Sequence, residues 1–257
     1  MDRHIALEGV DNLRDFGGYA TACGRGLRPG LLWRSGAHHQ ATEADLQALS
    51  ALGLKAIVDL RRRAEREESP SRRWPGFAAE VLTGDLHDAY GGWEEMLRGQ
   101  DPTAELFHRA SVEWYRTAPW SERLIDLYRR YFAVLAEGRG PVLIHCAVGK
   151  DRTGLLAALT HHLAGVHEDD VMADYLMTNA LGHQESRIPA VTERIERLSG
   201  RRPSEAAVRA AMTVQPDYLR AALGAIEGRH GSVAAYLEQV LGVDAARRAG
   251  FEANFLG

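Results

Sequence analysis

The stretch PVLIHCAVGKDRTGLLAALTHHLAG, residues 141–165, constrains the fold more than any other part of the chain. It opens on PVLIHCA, a compact apolar run suited to a central strand covered on both faces. It closes on RTGLLAALTHHLAG, an apolar helix over 152–165. Only a short turn of mostly small and polar residues separates the two. A buried strand feeding a buried helix so directly requires helices laid on a sheet, which points to an α/β chain.

The flanking sequence agrees. GLLWRSGA (30–37), KAIVDLR (55–61) and AAEVLTGDL (78–86) read as further strands. TEADLQALSALG (42–53) predicts a helix with Thr42 as N-cap, Asp45 three residues on, and Leu46, Leu49 and Leu52 at helical spacing before Gly53. SERLIDLYRRYFAVLAEG (121–138) predicts an amphipathic helix from Ser121 to Gly138, with Leu124, Leu127, Tyr128, Tyr131, Phe132 and Leu135 on one face. Beyond residue 165 the chain reads helical throughout. The expected architecture is a central, mostly parallel sheet flanked by helices, with a helical insertion and a helical C-terminal part. Residues 1–257 are expected to form one domain. Within it, 87–118 is either a lid or a small packed insertion, because connections this long often cover binding sites.

Composition narrows the function classes. The 257 residues carry a net formal charge of −4, which leaves no electrostatic footprint for nucleic acid. The basic clusters Arg61-Arg62-Arg63, Arg72-Arg73 and Arg201-Arg202 lie near acidic residues and read as solvated faces. No apolar run approaches the ~20 residues that span a bilayer. The N-terminal MDRHIALEGVDNLRDFGG lacks the apolar core of a secretory signal, so a cytoplasmic location is expected. Cys23 and Cys146 make no disulfide framework, and Cys23 reads as an exposed loop thiol. His161 and His162 are adjacent on a helix and point apart, with no partner at zinc-motif spacing, so neither a metal nor another cofactor is expected.

The turn HCAVGKDRTG (145–154) concentrates the chemistry. The first amides of the helix behind it are unsatisfied, and the helix dipole adds roughly half a positive charge there. Small residues and Gly149 let successive N–H groups converge in a nest for a tetrahedral oxyanion. Arg152 adds a planar fork for two phosphate oxygens. The same field acts on Cys146, whose thiol would fall from about 8.5 toward roughly 3.5–7.5 and attack as a thiolate. A nucleophile at the base of an anion cradle points to phosphoryl transfer through a cysteinyl-phosphate.

Cysteine, five residues, arginine and threonine resemble the signature loop of the cysteine-dependent protein tyrosine phosphatases. The fuller string HCAVGKDRTG is similar to that of the bacterial atypical tyrosine and lipid phosphatases. NLRDFGGY (12–19), LLWRSG (31–36), IVDLR (57–61), DYLMTN (174–179), PDYL (216–219) and GSVAAYL (231–237) extend the resemblance over nearly the whole chain.

The resemblance implies a tyrosine-phosphatase-like fold and roles for matching positions. Cys146 would be the nucleophile, and Arg152 would hold the phosphoryl oxygens. His145 would support the loop. Thr153 would hydrogen-bond the sulfur and ease its departure. Amides from Ala147, Val148, Gly149 and onward to Arg152 would form the cradle. Lys150 would add a second cation, which in relatives accompanies activity on phosphoinositides; its alternative is a solvated cation. Asp151 would be the general acid; its alternative is a helix cap. Asp59, placed with the substrate-contacting residues, ranks second as the acid, and Asp85 or Asp88 third. Asn12, Arg14 and Asp15 are expected to brace the loop. The implied substrates are phosphorylated proteins, with phosphotyrosine foremost, or phosphoinositides. A phosphate-binding module without turnover, and a sulfur transferase, are the competing readings.

Overall fold

The computed structural model describes residues 3–86, 92–181 and 184–257. Five strands form one sheet in the order β1-β2-β5-β3-β4. Strands β2 (Leu32–Ser35), β3 (Ala56–Asp59), β4 (Glu80–Thr83) and β5 (Val142–His145) run parallel, and the short β1 (Arg14–Asp15) lies antiparallel on the β2 edge. Register places Ser35, His145 and Asp59 in one row at the carboxyl ends of three neighbouring strands. In open parallel sheets that end is where ligands bind.

Side chains alternate along the central strands, and both faces are covered. Ile57 and Leu143 pack with Leu46 and Leu49 of α1 (Glu43–Ala51), whose start is fixed by a reciprocal capping box between Thr42 and Asp45. Ala56, Val58, Val142 and Ile144 face the larger core, which includes residues of α5 (Glu122–Glu137) and α6 (Asp151–Ala164). All six apolar residues expected on one face of α5 are buried. Ser121 caps that helix, and Gly138 and Gly165 end α5 and α6 in the left-handed conformation.

Between β3 and β4 lies α2 (Arg63–Glu68), where the sequence had shown only charge. Arg61 corrects the reading of a solvated basic face, because it is 2% exposed and bonded to Asp59. Segment 92–117 forms α3 (Gly92–Met96) and α4 (Ala104–Thr117). The C-terminal part comprises α7 (Glu168–Leu181), α8 (Gln184–Ser199), α9 (Glu205–Met212), α10 (Pro216–His230), α11 (Val233–Gln239) and α12 (Ala245–Phe255). Leu97, Leu106 and Phe107 form an apolar cluster with Ile195, Ala207, Val208, Ala211 and Met212. That cluster binds the insertion to α8 and α9 above the carboxyl end of the sheet. Among the described residues, no helix is long and apolar enough to cross a membrane.

Candidate active site

The turn after β5 owes its shape to Gly149. Its φ is +72°, and a Cβ there would lie 2.5 Å from the Ser35 carbonyl, so another residue would meet both strain and backbone. The loop's carbonyls turn outward to outside donors. Ala37 N–H donates to Ala147 (3.0 Å), and Asn12 Nδ2 (2.8 Å) and Arg34 Nη2 (3.1 Å) both donate to Gly149. Asp174 on α7 holds the two arginines beneath. Its Oδ1 takes Arg14 Nε at 3.1 Å and its Oδ2 takes Arg34 Nη1 at 2.6 Å, all three side chains being almost fully buried. Burial opposes ionisation of Asp174, but the two guanidinium groups keep its carboxyl well below the usual carboxylate range. Asn12 and Arg14 thus brace the loop. Asp15 does not reach the loop; its carboxylate accepts from Gly17 N–H and Gly30 N–H and pins the turn that follows β1.

Cys146 lies at the base, 3% exposed. Burial alone would raise its thiol. The charge of Arg152, the hydroxyl of Thr153 and the Val148 amide outweigh that effect and lower it. Among the described residues, the buried Thr153 hydroxyl has no close hydrogen-bonding partner, so it is free to turn toward the sulfur. Arg152 is held in a two-pronged pair with Glu65 of α2, at 2.6 Å and 2.7 Å, and its Nη1 also donates to the Leu60 carbonyl at 3.2 Å. Burial disfavours both charges, yet the pairing raises Arg152 and lowers Glu65. Glu65 was not picked out from the sequence. In RRRAEREE nothing distinguishes it from the exposed Glu67 and Glu68.

The structure does not bring Asp59 to the substrate. Its carboxylate is 2% exposed and clasped by Arg61 through Nε at 2.9 Å, Nη2 at 2.7 Å and the backbone amide at 3.1 Å. Burial opposes its ionisation, but His145 and Arg61 hold it down to about 2. His145 is fully buried with its Nε2 3.6 Å from Asp59, and its ring stacks on His38 at 4.6 Å. Burial pushes the imidazole down to about 4 despite Asp59, so it is neutral at physiological pH. It supports the loop from behind and does not line the cavity. Asp85 is exposed and paired with Arg66, away from the cavity. Asp88 lies outside the described residues.

Lys150 departs from the expectation of a cation presented to the ligand. It lines the cavity, but its Nζ donates to the carbonyls of Ala211 (2.7 Å) and Thr213 (3.2 Å), tying the loop to the end of α9. Asp151 is the first residue of α6, lines the cavity and is about one-third exposed. Its Oδ1 accepts from the Tyr115 hydroxyl at 3.2 Å, and its Oδ2 lies 3.7 Å from Lys150 Nζ. Among the described candidates for the acid, it alone faces the cavity.

That cavity encloses about 210 Å³ above the turn. Ala147, Val148, Asp151 and Arg152 form its floor, Trp93, Phe107, Trp114 and Tyr115 supply aromatic walls, and Arg62, Arg123, Arg187 and Arg194 stand around it. Cys23 is exposed elsewhere, and His161 is a buried core residue whose Nε2 meets the Phe16 carbonyl at 2.7 Å. Among the described residues, no cluster of histidine, cysteine or carboxylate side chains could hold a metal ion.

The sequence pattern of the tyrosine phosphatase family matches residues 5–257. A Cupriavidus necator protein named as a tyrosine-protein phosphatase is 35% identical over 96% of this chain and 88% of its own length. The triple specificity protein phosphatase PtpB of Mycobacterium tuberculosis is 30% identical over 90% of this chain and 91% of its own. A crystal structure of TpbA from P. aeruginosa covers 71% of this chain and 94% of its own at 20% identity. Its TM-score of 0.35 is too low to carry weight.

Proposed function

This chain belongs to the tyrosine phosphatase family, and on that premise we propose that it hydrolyses phosphate monoesters through a covalent intermediate on Cys146. The observation that carries this reading is the turn after β5, which sets the buried Cys146 directly beneath a cavity whose floor includes Ala147, Val148, Asp151 and Arg152. In the first step a sulfur lone pair attacks phosphorus. The S–P bond forms, the P–O bond to the leaving group breaks, and the leaving oxygen takes a proton from Asp151. Arg152 and the amides of Ala147 to Arg152 bind the three remaining oxygens, whose charge they stabilise in the transition state. In the second step water attacks phosphorus and gives its proton to the Asp151 carboxylate. Sulfur departs as the thiolate, eased by Thr153, and inorganic phosphate leaves.

Aromatic walls over the anion site suit an aryl phosphate, so phosphotyrosine is the first substrate class. The relative named for triple specificity supports a range wider than one phosphoamino acid. Phosphoinositides remain within that range, although Lys150 is anchored on carbonyls and is not presented freely. Residues 1–257 act as one catalytic unit in this reading, in a reducing compartment such as the cytoplasm.

A phosphate-binding module would need the cradle without the nucleophile. The expected result is steady release of phosphate from 4-nitrophenyl phosphate in the presence of EDTA, lost in Cys146→Ser. Activity that depends on a divalent metal, or that persists in Cys146→Ser, would overturn the proposal. Tight phosphopeptide binding with no phosphate released would favour the binding module.

A further inference from the structure

Two buried phenols end on the side chain assigned as the acid. Tyr175 of α7 donates its O–H to the Tyr115 hydroxyl at 2.8 Å, and Tyr115 of α4 donates in turn to Asp151 Oδ1 at 3.2 Å. Both rings are at most 1% exposed. They are fixed edge to face at 6.1 Å, and Tyr218 stacks on the other side of Tyr115 at 5.9 Å. The chain therefore crosses the core from one helix to another and meets the cavity at the Tyr115 ring and the Asp151 carboxylate.

We propose that Tyr115, oriented by Tyr175, is a positioning residue that holds the Asp151 carboxyl in the geometry for proton transfer. The inference rests on Asp151 being the acid, as proposed above. A donor on Oδ1 fixes the rotation of the carboxyl group and leaves Oδ2 to carry the proton that the leaving oxygen takes. After transfer, the same bond stabilises the new carboxylate, which must then receive a proton from water. The phenol is suited to a constant donor. Burial, then Tyr175 and the Asp151 charge, push Tyr115 well above the ordinary phenol range, so it stays protonated wherever the enzyme works. Tyr175 is raised in the same way, by burial first and by Asp151 next. A purely structural tyrosine pair would need no contact with a partly exposed carboxylate at the cavity.

The position of Tyr175 adds to this. Its neighbour Asp174 holds Arg14 and Arg34 under the loop. One turn of α7 thus braces both the phosphate cradle, through Asp174, and the acid, through Tyr175 and Tyr115.

Leaving-group dependence separates positioning from packing. Phenolate needs a proton on departure far more than 4-nitrophenolate does, so loss of the acid slows phenyl phosphate selectively. Turnover of both esters is measured on the full chain for wild type, Asp151→Asn, Tyr115→Phe, Tyr175→Phe and the Asp151→Asn/Tyr115→Phe double variant. Tyr115→Phe is expected to slow phenyl phosphate about 10-fold, the worth of one hydrogen bond to a charged group. The nitrophenyl ester should be slowed less than phenyl phosphate, and Tyr115→Phe should add no further selectivity once Asp151 is Asn. If Tyr115→Phe does not fold, Tyr175→Phe gives the same reading with a smaller change. Should Asp151→Asn be selective while the tyrosine variants match wild type, or slow both esters equally, the positioning role fails and the acid stands. Should Asp151→Asn itself show no selectivity, the acid assignment fails and takes this inference with it.

Discussion

Arg152 and Cys146 show how single contacts set the chemistry. The guanidinium lies beside the sulfur and lowers its thiol, while Glu65 occupies two of its N–H groups and fixes the fork's plane. In Glu65→Gln the charge that orients Arg152 is gone but the shape is kept. kcat/KM for an aryl phosphate should fall about 10- to 100-fold, the range for one partner lost from a charged hydrogen-bonded pair. Steady-state kinetics beside thermal unfolding checks this. Unchanged kcat/KM would show that Arg152 needs no such partner. At this scale the sequence was legible where spacing along one loop carries meaning. Cys146, Asp151, Arg152 and Thr153 lie within one turn and the start of one helix, so the structure had little freedom to separate them. Asp59 was misread because a carboxylate ending a strand at the right edge of the sheet has the same local sequence whether it faces ligand or arginine. Its fate was decided by Arg61, two residues on, folding back over it.

Elements bring together what sequence keeps apart. The capping of α1 and α5 and the apolar strands β3 and β5 were readable, because they depend on neighbours within a few residues. The pairing of α4 with α9 depends on contacts about a hundred residues away, and nothing local in 87–118 announces it. Tyr115 and Glu65 escaped the sequence reading for that reason. Lys150 is the bolt between the levels, since its ammonium joins the loop to the carboxyl end of α9. Lys150→Ala should lower stability by about 1.5–3 kcal/mol, as the two carbonyls lose a charged donor. It should slow aryl phosphates and polyphosphorylated inositol lipids alike. Chemical denaturation and a two-substrate assay test this. A loss confined to the lipid would restore Lys150 as a ligand contact.

The molecule as a whole carries several histidines that fold in the neutral form. Burial lowers His145 to about 4 and also pushes His38 and His161 down. An unfolded imidazole titrates near 6.5, so between about 6.5 and 4 the unfolded chain binds the extra proton. Stability is whole above that window and falls as pH drops through it, by about 2 kcal/mol from His145 alone by pH 5. The depressed carboxylates of Asp59, Asp174 and Glu65 act in the same direction, but only as pH falls below the unfolded carboxylate range near 4. Thermal unfolding followed from pH 7.5 to 5 should show the decline, and a flat profile would contradict the neutral burial of His145. The catalytic claim has its own direct measurement. Wild-type enzyme turning over 4-nitrophenyl phosphate is quenched in acid, digested and mapped by mass spectrometry. The expected result is a phosphoryl group on the Cys146 sulfur. Rapid turnover with that sulfur unmodified at every quench time, and phosphate instead on another side chain, would contradict it.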